Sequence, residues 1–558
     1  MSKLESHALK GSRSLHQAIL QTCASYPEKR ALLGKNNAGY TYLELADAIT
    51  RVAGGLRRLG LAQGGRVGIL SENCPEWGVA YIAVQSAGGV VVPLDALWKA
   101  AELSFVLNAS NIDFIFCLEK SREIIGRIVA ESQLSLRIIT FDGRDELSFD
   151  ALRKSDPFWS DRTTRNAMAS LIYTSGTTGD PKGVILTHGN IMADIEGMVD
   201  AIDIYSDDVF LSVLPLHHTL EATCGFLLPL CLGLTVVYSR SLKSRDILED
   251  IRNNRVTFLV AVPLLYEKIF LAITKKIQEL PAIRRHLFNF TFKISRLLWL
   301  LGIRVGNFLF VNLRKKSGLE TIRLFVSGGA PLPAEISEWF NLVGFEFLEG
   351  YGMTECSPVV TLSRPGGIKF GSVGPPLPGV EISIDGPGPD GVGEIKVKGK
   401  ILTTGYINNP SATAALLRDG WLYTGDMGKI DNQHLYITGR KKNLIVSGAG
   451  KNIYPEEIEA ALQLSPFILE SIVLGRKKEN KVGEEIFAVI VPNLENIKQA
   501  LSDIEPPLKE DRLREIIGTE IETVNNRLAD YKRLNRFEIR LDEFEKTSTR
   551  KVKRSLYK

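Results

Sequence analysis

Cysteine and histidine are scarce in this chain, with six and seven residues respectively among 558. No two cysteines have CxxC spacing, and the histidines form no zinc-ligand pattern with them. Neither a disulfide framework nor a zinc site is therefore expected. Scattered cysteines are typical of reduced thiols, which favours a cytoplasmic protein.

The chain also lacks an excess of charge and a long apolar run. Its 68 basic and 64 acidic residues leave a net charge of +4, which argues against wholesale binding of nucleic acid. The longest apolar stretch, residues 225–237, is broken by Pro229 and two glycines and is too short to span a bilayer. Residues 1–10 have no apolar core, so we expect no signal peptide.

What is present indicates a globular α/β protein of more than one domain. A length of 558 residues exceeds one ordinary hydrophobic core. Between residues 40 and 260 the patterns of strand and helix alternate, which predicts layered α/β sheets with parallel strands. We predict an N-terminal domain over 1–440, with a small β-barrel-like part over about 366–440. A small, mobile α+β domain is predicted over 441–558.

The strongest functional signal is the segment 173–183, which lies between two apolar runs. Its glycines let several N–H groups point at one anion, and its hydroxyls and lysine add donors. The pattern is not a Walker loop, because Pro181 stands where that motif has its second glycine. It favours a polyphosphate-binding loop over a polar surface turn. The candidate residues are Thr174, Ser175, Gly176, Thr177, Thr178, Gly179 and Lys182.

Three further segments place polar groups in turns, two of them at the carboxyl ends of predicted strands, where open α/β sheets bind ligands. They are residues 327–331, 349–355 and 423–426. Tyr351 offers a flat face for a purine, Glu355 offers a hard oxygen ligand for Mg²⁺, and Asp426 suits the vicinal hydroxyls of a ribose. Each segment alone is typical of a turn or a cap, but the set in this order predicts a nucleotide site.

In this order the motifs resemble those of the adenylate-forming (AMP-binding) enzymes, which include acyl-CoA synthetases, luciferases and peptide-synthetase adenylation domains. The resemblance runs from about residue 15 to Lys558. It implies that residues 174–183 bind the triphosphate of ATP, that Thr354 lies near the α-phosphate, and that Glu355 binds Mg²⁺. The adenosine would be bound by Gly329, Ala330, Pro331, Glu349, Gly350, Tyr351, Gly352, Asp426 and Arg440.

The same resemblance assigns roles near the C-terminus. Lys442 falls at the hinge position of the family, and Lys551 falls at its C-terminal catalytic lysine. Without the upstream motifs, Lys551 would be interpreted as a solvated lysine of a basic tail. Arg550 stands where the family usually has glycine. The segment 447–452 is one residue longer than the commonest spacing, so the coenzyme A channel glycine is either Gly448 or Gly450.

The segment 214–221 resembles the acyl-pocket motif of long-chain fatty acid–CoA ligases, and His218 matches the family histidine better than His217. A structural histidine is the alternative for either. We expect catalysis by Lys551, Thr354, Glu355 and His218, with ATP, Mg²⁺, coenzyme A and a fatty acid as the partners. Two alternatives are a fatty acyl-AMP ligase that serves an acyl-carrier protein and a non-catalytic acyl or nucleotide sensor. Retention of Lys551 argues against the sensor.

Residues 280–319 contain eight basic residues, no acid and interleaved aromatic residues. Basic amphipathic helices of this kind suit an anionic membrane surface, here the inner membrane face. The alternative is a packed helical insertion with a solvated basic face.

Overall fold

The computed structural model describes residues 3–5, 7–35, 38–174, 181–448, 450–477, 483–500, 510–546 and 552–557. Ser175 to Gly179 of the phosphate-binding loop and Lys551 lie outside these residues.

The first part of the chain builds a six-stranded sheet with the strand order β6-β5-β3-β4-β7-β8. Its strands are parallel except for the hairpin of β7 and β8. Its elements, with two strands that join the second sheet, are α1 (His7–Gly11), α2 (Leu15–Ser25), β1 (Arg30–Leu33), β2 (Gly39–Thr41), α3 (Tyr42–Arg58), β3 (Arg66–Leu70), α4 (Pro75–Ser86), β4 (Val90–Leu94), α5 (Ala100–Ser110), β5 (Phe114–Cys117), α6 (Glu119–Glu131), β6 (Arg137–Thr140), α7 (Phe149–Leu152), β7 (Met168–Thr174), β8 (Lys182–Thr187) and α8 (His188–Ala201).

A second, eight-stranded sheet has the order β14-β13-β12-β11-β9-β10-β1-β2. Its interior pairs are parallel, and the pairs at its two edges are antiparallel. Its elements are β9 (Val209–Ser212), a π-helix (Glu221–Leu227), α9 (Leu228–Cys231), β10 (Thr235–Tyr238), α10 (Ser244–Asn253), β11 (Phe258–Ala261), α11 (Pro263–Gln278), α12 (Ala282–Leu300), α13 (Gly306–Leu309), α14 (Val311–Ser317), β12 (Leu324–Ser327), α15 (Ala334–Leu342), β13 (Glu346–Gly352), a 3₁₀ turn (Thr354–Cys356) and β14 (Val359–Leu362).

The β-rich part forms a five-stranded antiparallel sheet. Its elements are β15 (Val380–Asp385), β16 (Gly393–Gly399), α16 (Pro410–Leu416), β17 (Leu417–Arg418), β18 (Trp421–Asp431) and β19 (His434–Arg440). Buried residues of this sheet, such as Ile395 and Leu422, join the core of the first sheet. This sheet is therefore part of the larger N-terminal body.

The last part of the chain has its own core, in which Ile458 and Ile517 pack against the three-stranded sheet β22-β23-β24. Its elements are a 3₁₀ turn (Lys441–Asn443), β20 (Ile445–Val446), β21 (Asn452–Ile453), α17 (Pro455–Leu462), β22 (Ile468–Lys477), β23 (Glu484–Pro492), α18 (Leu494–Ala500), α19 (Glu510–Asn525), a 3₁₀ turn (Asp530–Lys532), β24 (Arg536–Ile539) and a 3₁₀ turn (Arg554–Leu556). The predicted fold class is confirmed, whereas the boundary at residues 440/441 stays a prediction.

Candidate active site

The predicted phosphate-binding loop joins two antiparallel strands, β7 and β8, whose last register pair is Thr174 with Lys182. Strand β8 is held on its other side by the segment around Tyr406, because the N–H of Ile185 donates to the carbonyl of Gly405 over 3.0 Å. The ammonium group of Lys182 lies 5.2 Å from the centre of the Tyr406 ring. One edge of the first sheet therefore presents a cation beside the loop.

Glu355 lies in the 3₁₀ turn after β13, and it is 8% exposed. The hydroxyl of Tyr406 donates a hydrogen bond of 2.7 Å to its carboxylate Oε1. The N–H of Thr403 donates to the Glu355 carbonyl over 2.8 Å, which fixes the backbone of the turn. Both contacts orient the carboxylate within the turn.

The oxygens around Glu355 suit Mg²⁺ held chiefly by phosphates. Among the described residues, no group of three or more His, Cys, Asp or Glu side chains could form a metal cage. Mg²⁺ commonly takes one or two carboxylates and completes its shell with water and substrate phosphates. A single fixed carboxylate next to the hydroxyl of Thr354 fits that pattern.

Thr354 connects this turn to the predicted acyl-pocket segment. The hydroxyl of Thr219 donates to the hydroxyl oxygen of Thr354 over 3.1 Å. Thr219 is buried and lies two residues before the π-helix. One hydrogen bond thus links the predicted acyl-pocket segment to the residue predicted to lie near the α-phosphate.

The predicted ribose site forms around Asp426, which is 6% exposed. Asp426 and Arg440 are cross-strand partners in β18 and β19, and the Arg440 Nε lies 3.0 Å from Asp426 Oδ1. The hydroxyl of Tyr351 donates to the other carboxylate oxygen over 2.8 Å. Burial and the nearby carboxylate raise the pKa of Tyr351, so the phenol stays protonated and able to donate. Each oxygen of Asp426 retains lone-pair capacity for a ribose hydroxyl.

The two predicted adenine segments are neighbours because β12 and β13 are parallel, with Ser327 paired to Glu349. Gly329 has φ +83°, a conformation that glycine adopts without strain, and Gly329, Ala330 and Pro331 are exposed at the sheet edge. A Cβ at Gly352 would lie 1.8 Å from the carbonyl oxygen of Pro358, so this close approach of β13 to β14 requires glycine. Burial raises the pKa of Glu349 to about 7. Gly350, the next residue of the predicted adenine segment, follows Glu349 on β13.

Both histidines of the acyl-pocket segment are half-buried, and their ring centres lie 4.1 Å apart. His217 Nε2 lies 3.5 Å from the carboxylate of Asp95, which follows β4. Burial lowers the pKa of His217 to about 3, so its imidazole is neutral. His217 therefore faces Asp95, and the assignment of His218 as the acting histidine stays a prediction.

The ends of the segment that carries Lys551 are anchored by ion pairs. Lys546 pairs with Glu470, and Arg554 NH1 lies 2.7 Å from Glu459 Oε2. The next residue after Val552, Lys553, has its ammonium group 3.7 Å from Glu102 in α5. The C-terminal tail therefore contacts the first sheet layer on the side of α5.

Lys442 lies in the 3₁₀ turn that joins β19 to β20, next to Arg440 and the ribose site. Thr424, Gly425, Arg440, Lys441 and Lys442 line one open depression. Gly448 and Gly450 lie in the turn between β20 and β21, where Gly450 has φ +70°. The roles of these residues as hinge and channel stay predictions.

Three residues in these contacts escaped the motif analysis as site residues: Tyr406, Thr219 and Asp95. Tyr406 follows Gly405 in a segment without a distinctive local pattern, and it reaches Glu355 because β8 pairs with that segment. Asp95 follows the buried strand β4 directly. Its position at the carboxyl end of a strand, where open α/β sheets bind ligands, could have marked it as a site residue.

Comparison with known proteins agrees with this architecture. The family described as AMP-binding enzyme matches residues 19–407. Long chain acyl-CoA synthetase 1 of Arabidopsis thaliana is 31% identical over 547 residues, covering 89% of this chain and 81% of that protein. Feruloyl-CoA synthase of an Amycolatopsis species is 30% identical, covering 85% of this chain and 89% of that protein.

Two solved structures share the fold over nearly the full length. ATP-bound MatB from Rhodopseudomonas palustris has a TM-score of 0.77 and 28% identity, with 98% of both chains covered. MenE from Bacillus subtilis, in complex with ATP and magnesium ion, has a TM-score of 0.74 and 26% identity, with 96% of this chain and 98% of that chain covered. The fold is that of the adenylate-forming enzymes. The chain belongs to the AMP-binding enzyme family, which confirms the resemblance inferred from its motifs.

Proposed function

We propose that the protein is an ATP-dependent acyl-CoA ligase that converts a fatty acid to its acyl-adenylate and then to the coenzyme A thioester. The observation that carries this proposal is that two buried carboxylates, Glu355 and Asp426, each accept a hydrogen bond from a tyrosine hydroxyl. Lys182 lies beside Tyr406, Tyr406 holds Glu355, and Tyr351 with Arg440 holds Asp426. This arrangement supports a site for a magnesium nucleotide.

In the first step, a carboxylate oxygen of the acid attacks the α-phosphorus of ATP, and the bond to the β-phosphate oxygen breaks to release pyrophosphate. Positioning and charge neutralisation accelerate such transfers. Asp426 accepts the ribose hydroxyls, which orients the α-phosphate, while Lys182 and Lys551 offset negative charge on the reactants. Glu355 and Thr354 would hold Mg²⁺, which would supply charge neutralisation for the phosphates.

In the second step, the thiol of coenzyme A attacks the acyl carbonyl, the mixed anhydride bond breaks, and AMP leaves with the bonding electrons. The small C-terminal domain is proposed to turn about Lys442 between the steps, so that Lys551 leaves the site and Gly448 or Gly450 lines the thiol channel. The position of Lys442 in a short turn between two sheets supports a hinge there.

The acyl part of the site supports an apolar tail. Leu220 and Val262 each have a methyl carbon 3.7 Å from the position that a Cβ of Gly329 would occupy, so apolar side chains border the strand-end loop. The similarity to Long chain acyl-CoA synthetase 1 favours a long alkyl chain. The similarity to Feruloyl-CoA synthase makes an aromatic acid the competitor that an assay must include.

The test is pyrophosphate release from palmitate, octanoate, ferulate and malonate, each with and without coenzyme A, with products identified by mass. We expect kcat/KM for a fatty acid to exceed that for ferulate and malonate by at least about tenfold, the lower end of the effect of one methylene in an apolar pocket. A preference for ferulate or malonate would contradict the proposed fatty acid substrate but would still agree with the proposed ligase activity. Pyrophosphate release without a coenzyme A thioester would indicate a carrier-protein acceptor, and no release from any acid would overturn the proposal.

A further inference from the structure

Helix α12 presents a continuous apolar face that the described part of the protein leaves open. Its exposed side chains include Ile283 (84% exposed), Leu287 (63%), Phe290 (62%), Ile294 (36%) and Leu297 (61%). Their spacing of four and three residues in alternation puts all five on one side of the helix. We name these five residues the α12 stripe. Exposed apolar surface of this extent marks an interaction site.

The opposite side of α12 is firmly packed, so the stripe is not a consequence of a loosely attached helix. Ser295 is 3% exposed, and its hydroxyl donates to the carbonyl of Leu342 over 2.7 Å. The ring of Phe288 lies 5.3 Å from that of Phe310, and Trp299 stacks on Phe370 at 5.4 Å. The helix is therefore held in a defined orientation with its apolar stripe pointing outward.

Exposed basic side chains lie on α12 and on α14, which follows it in the chain. Residues 280–319 contain no acid. Arg284, Lys293, Lys315 and Lys316 are exposed and form no ion pair with any described residue. Lys293 precedes Leu297 by four positions, which puts it at the margin of the stripe. Arg296 and Arg304, by contrast, pair with acids of the protein body, Glu338 and Glu346.

We propose that the α12 stripe, together with Arg284 and Lys293 on the same helix, binds in the plane of an anionic phospholipid bilayer. Apolar side chains would enter the boundary between headgroups and acyl chains, while the cations would meet lipid phosphates. A second copy of this chain fits the surface poorly, because two equally basic faces would repel each other. Among the described residues, every helix is too short or too polar to cross a bilayer. The proposal does not depend on the reaction that the site performs.

The experiment is co-sedimentation of the full chain with vesicles of phosphatidylcholine containing about 30% phosphatidylglycerol, and with vesicles of phosphatidylcholine alone. The test variant is Leu287→Ser/Leu297→Ser, at residues that are 63% and 61% exposed. The matched control is Leu242→Ser/Leu541→Ser, at residues that are 64% and 66% exposed but lie away from α12. Because all four leucines are exposed, circular dichroism is expected to show folded protein in both variants.

We expect the wild type and the control to bind the anionic vesicles. The test variant is expected to bind at least about tenfold more weakly, because it lacks the two leucine side chains that would become buried in the bilayer. Binding is expected to fall about tenfold or more between about 0.05 M and 0.5 M salt, because salt screens the lipid charge. Equal binding of test and control variants, or equal binding to neutral and anionic vesicles, would overturn the proposal. A wild-type dimer in sedimentation velocity that the test variant loses, without vesicle binding, would assign the stripe to self-association instead.

Discussion

Replacement of Tyr406 by phenylalanine tests whether the tyrosine hydroxyl orients Glu355, because it removes that hydroxyl and leaves the contacts of the ring in place. The change removes the hydroxyl that donates 2.7 Å to the Glu355 carboxylate. It keeps the ring that lies 5.2 Å from the Lys182 ammonium group. The variant therefore tests one hydrogen bond to a carboxylate that is 8% exposed.

The magnitude follows from the type of bond. A hydrogen bond to a charged, buried group contributes about 1.5–3 kcal/mol. If the whole free energy of this hydrogen bond serves to orient Glu355 for Mg²⁺, its loss lowers pyrophosphate release at limiting Mg²⁺ by about 10- to 150-fold. The conversion uses a factor of ten in rate for about 1.4 kcal/mol. Saturating Mg²⁺ is expected to restore most of the activity, since the carboxylate itself remains.

The assay is pyrophosphate release as a function of Mg²⁺ for the wild type, Tyr406→Phe, Glu355→Gln and the control Tyr531→Phe, whose tyrosine is 46% exposed. Glu355→Gln is expected to lose activity by orders of magnitude, because the amide carries no charge for the metal, while the protein stays folded. Identical Mg²⁺ dependence of Tyr406→Phe and Tyr531→Phe would refute the role assigned to the hydroxyl. Near-normal turnover of folded Glu355→Gln at limiting Mg²⁺ would refute the metal assignment.

Three further changes test separate parts of the site, and a fourth tests the protonation of a buried carboxyl group. Asp426→Asn is expected to remove the preference for ATP over 2′,3′-dideoxy-ATP in pyrophosphate release, and a retained preference would place ribose recognition elsewhere. Lys551→Ala is expected to block adenylation but still convert supplied acyl-adenylate to thioester. Lys442→Pro, which sets φ to about −65°, is expected to do the reverse, and loss of the same half-reaction in both variants would contradict the hinge. Burial raises the pKa of Glu221 from 4.5 to about 8, so neutral Glu221 favours the folded state at low pH and this stabilisation is lost as pH rises from 4.5 to 8. The Tm of the wild type should therefore fall more between these pH values than that of Glu221→Gln, and equal falls would argue against a neutral buried Glu221.

Much of the fold could be predicted from local sequence, because each signal lies within one element and its turn. Segment 173–183 sits between two apolar runs, and the structure has strands β7 and β8 on either side of it. The basic and interleaved aromatic residues over 280–319 already indicated an amphipathic helix. Its exposure could not be predicted, because the same pattern describes a helix packed on both of its faces.

The sequence by itself determined the identity and order of the chemical groups. Each motif, with its glycines and its hydroxyl, acidic or basic residues, is one continuous segment of the chain. Only the tertiary structure decided which groups meet. Tyr406 and Glu355 are 51 residues apart, Tyr351 and Asp426 are 75 apart, and Thr219 and Thr354 are 135 apart. These contacts depend on which strands pair and in which register. Pairing between distant strands is set by the burial of whole sheets, which no local pattern specifies.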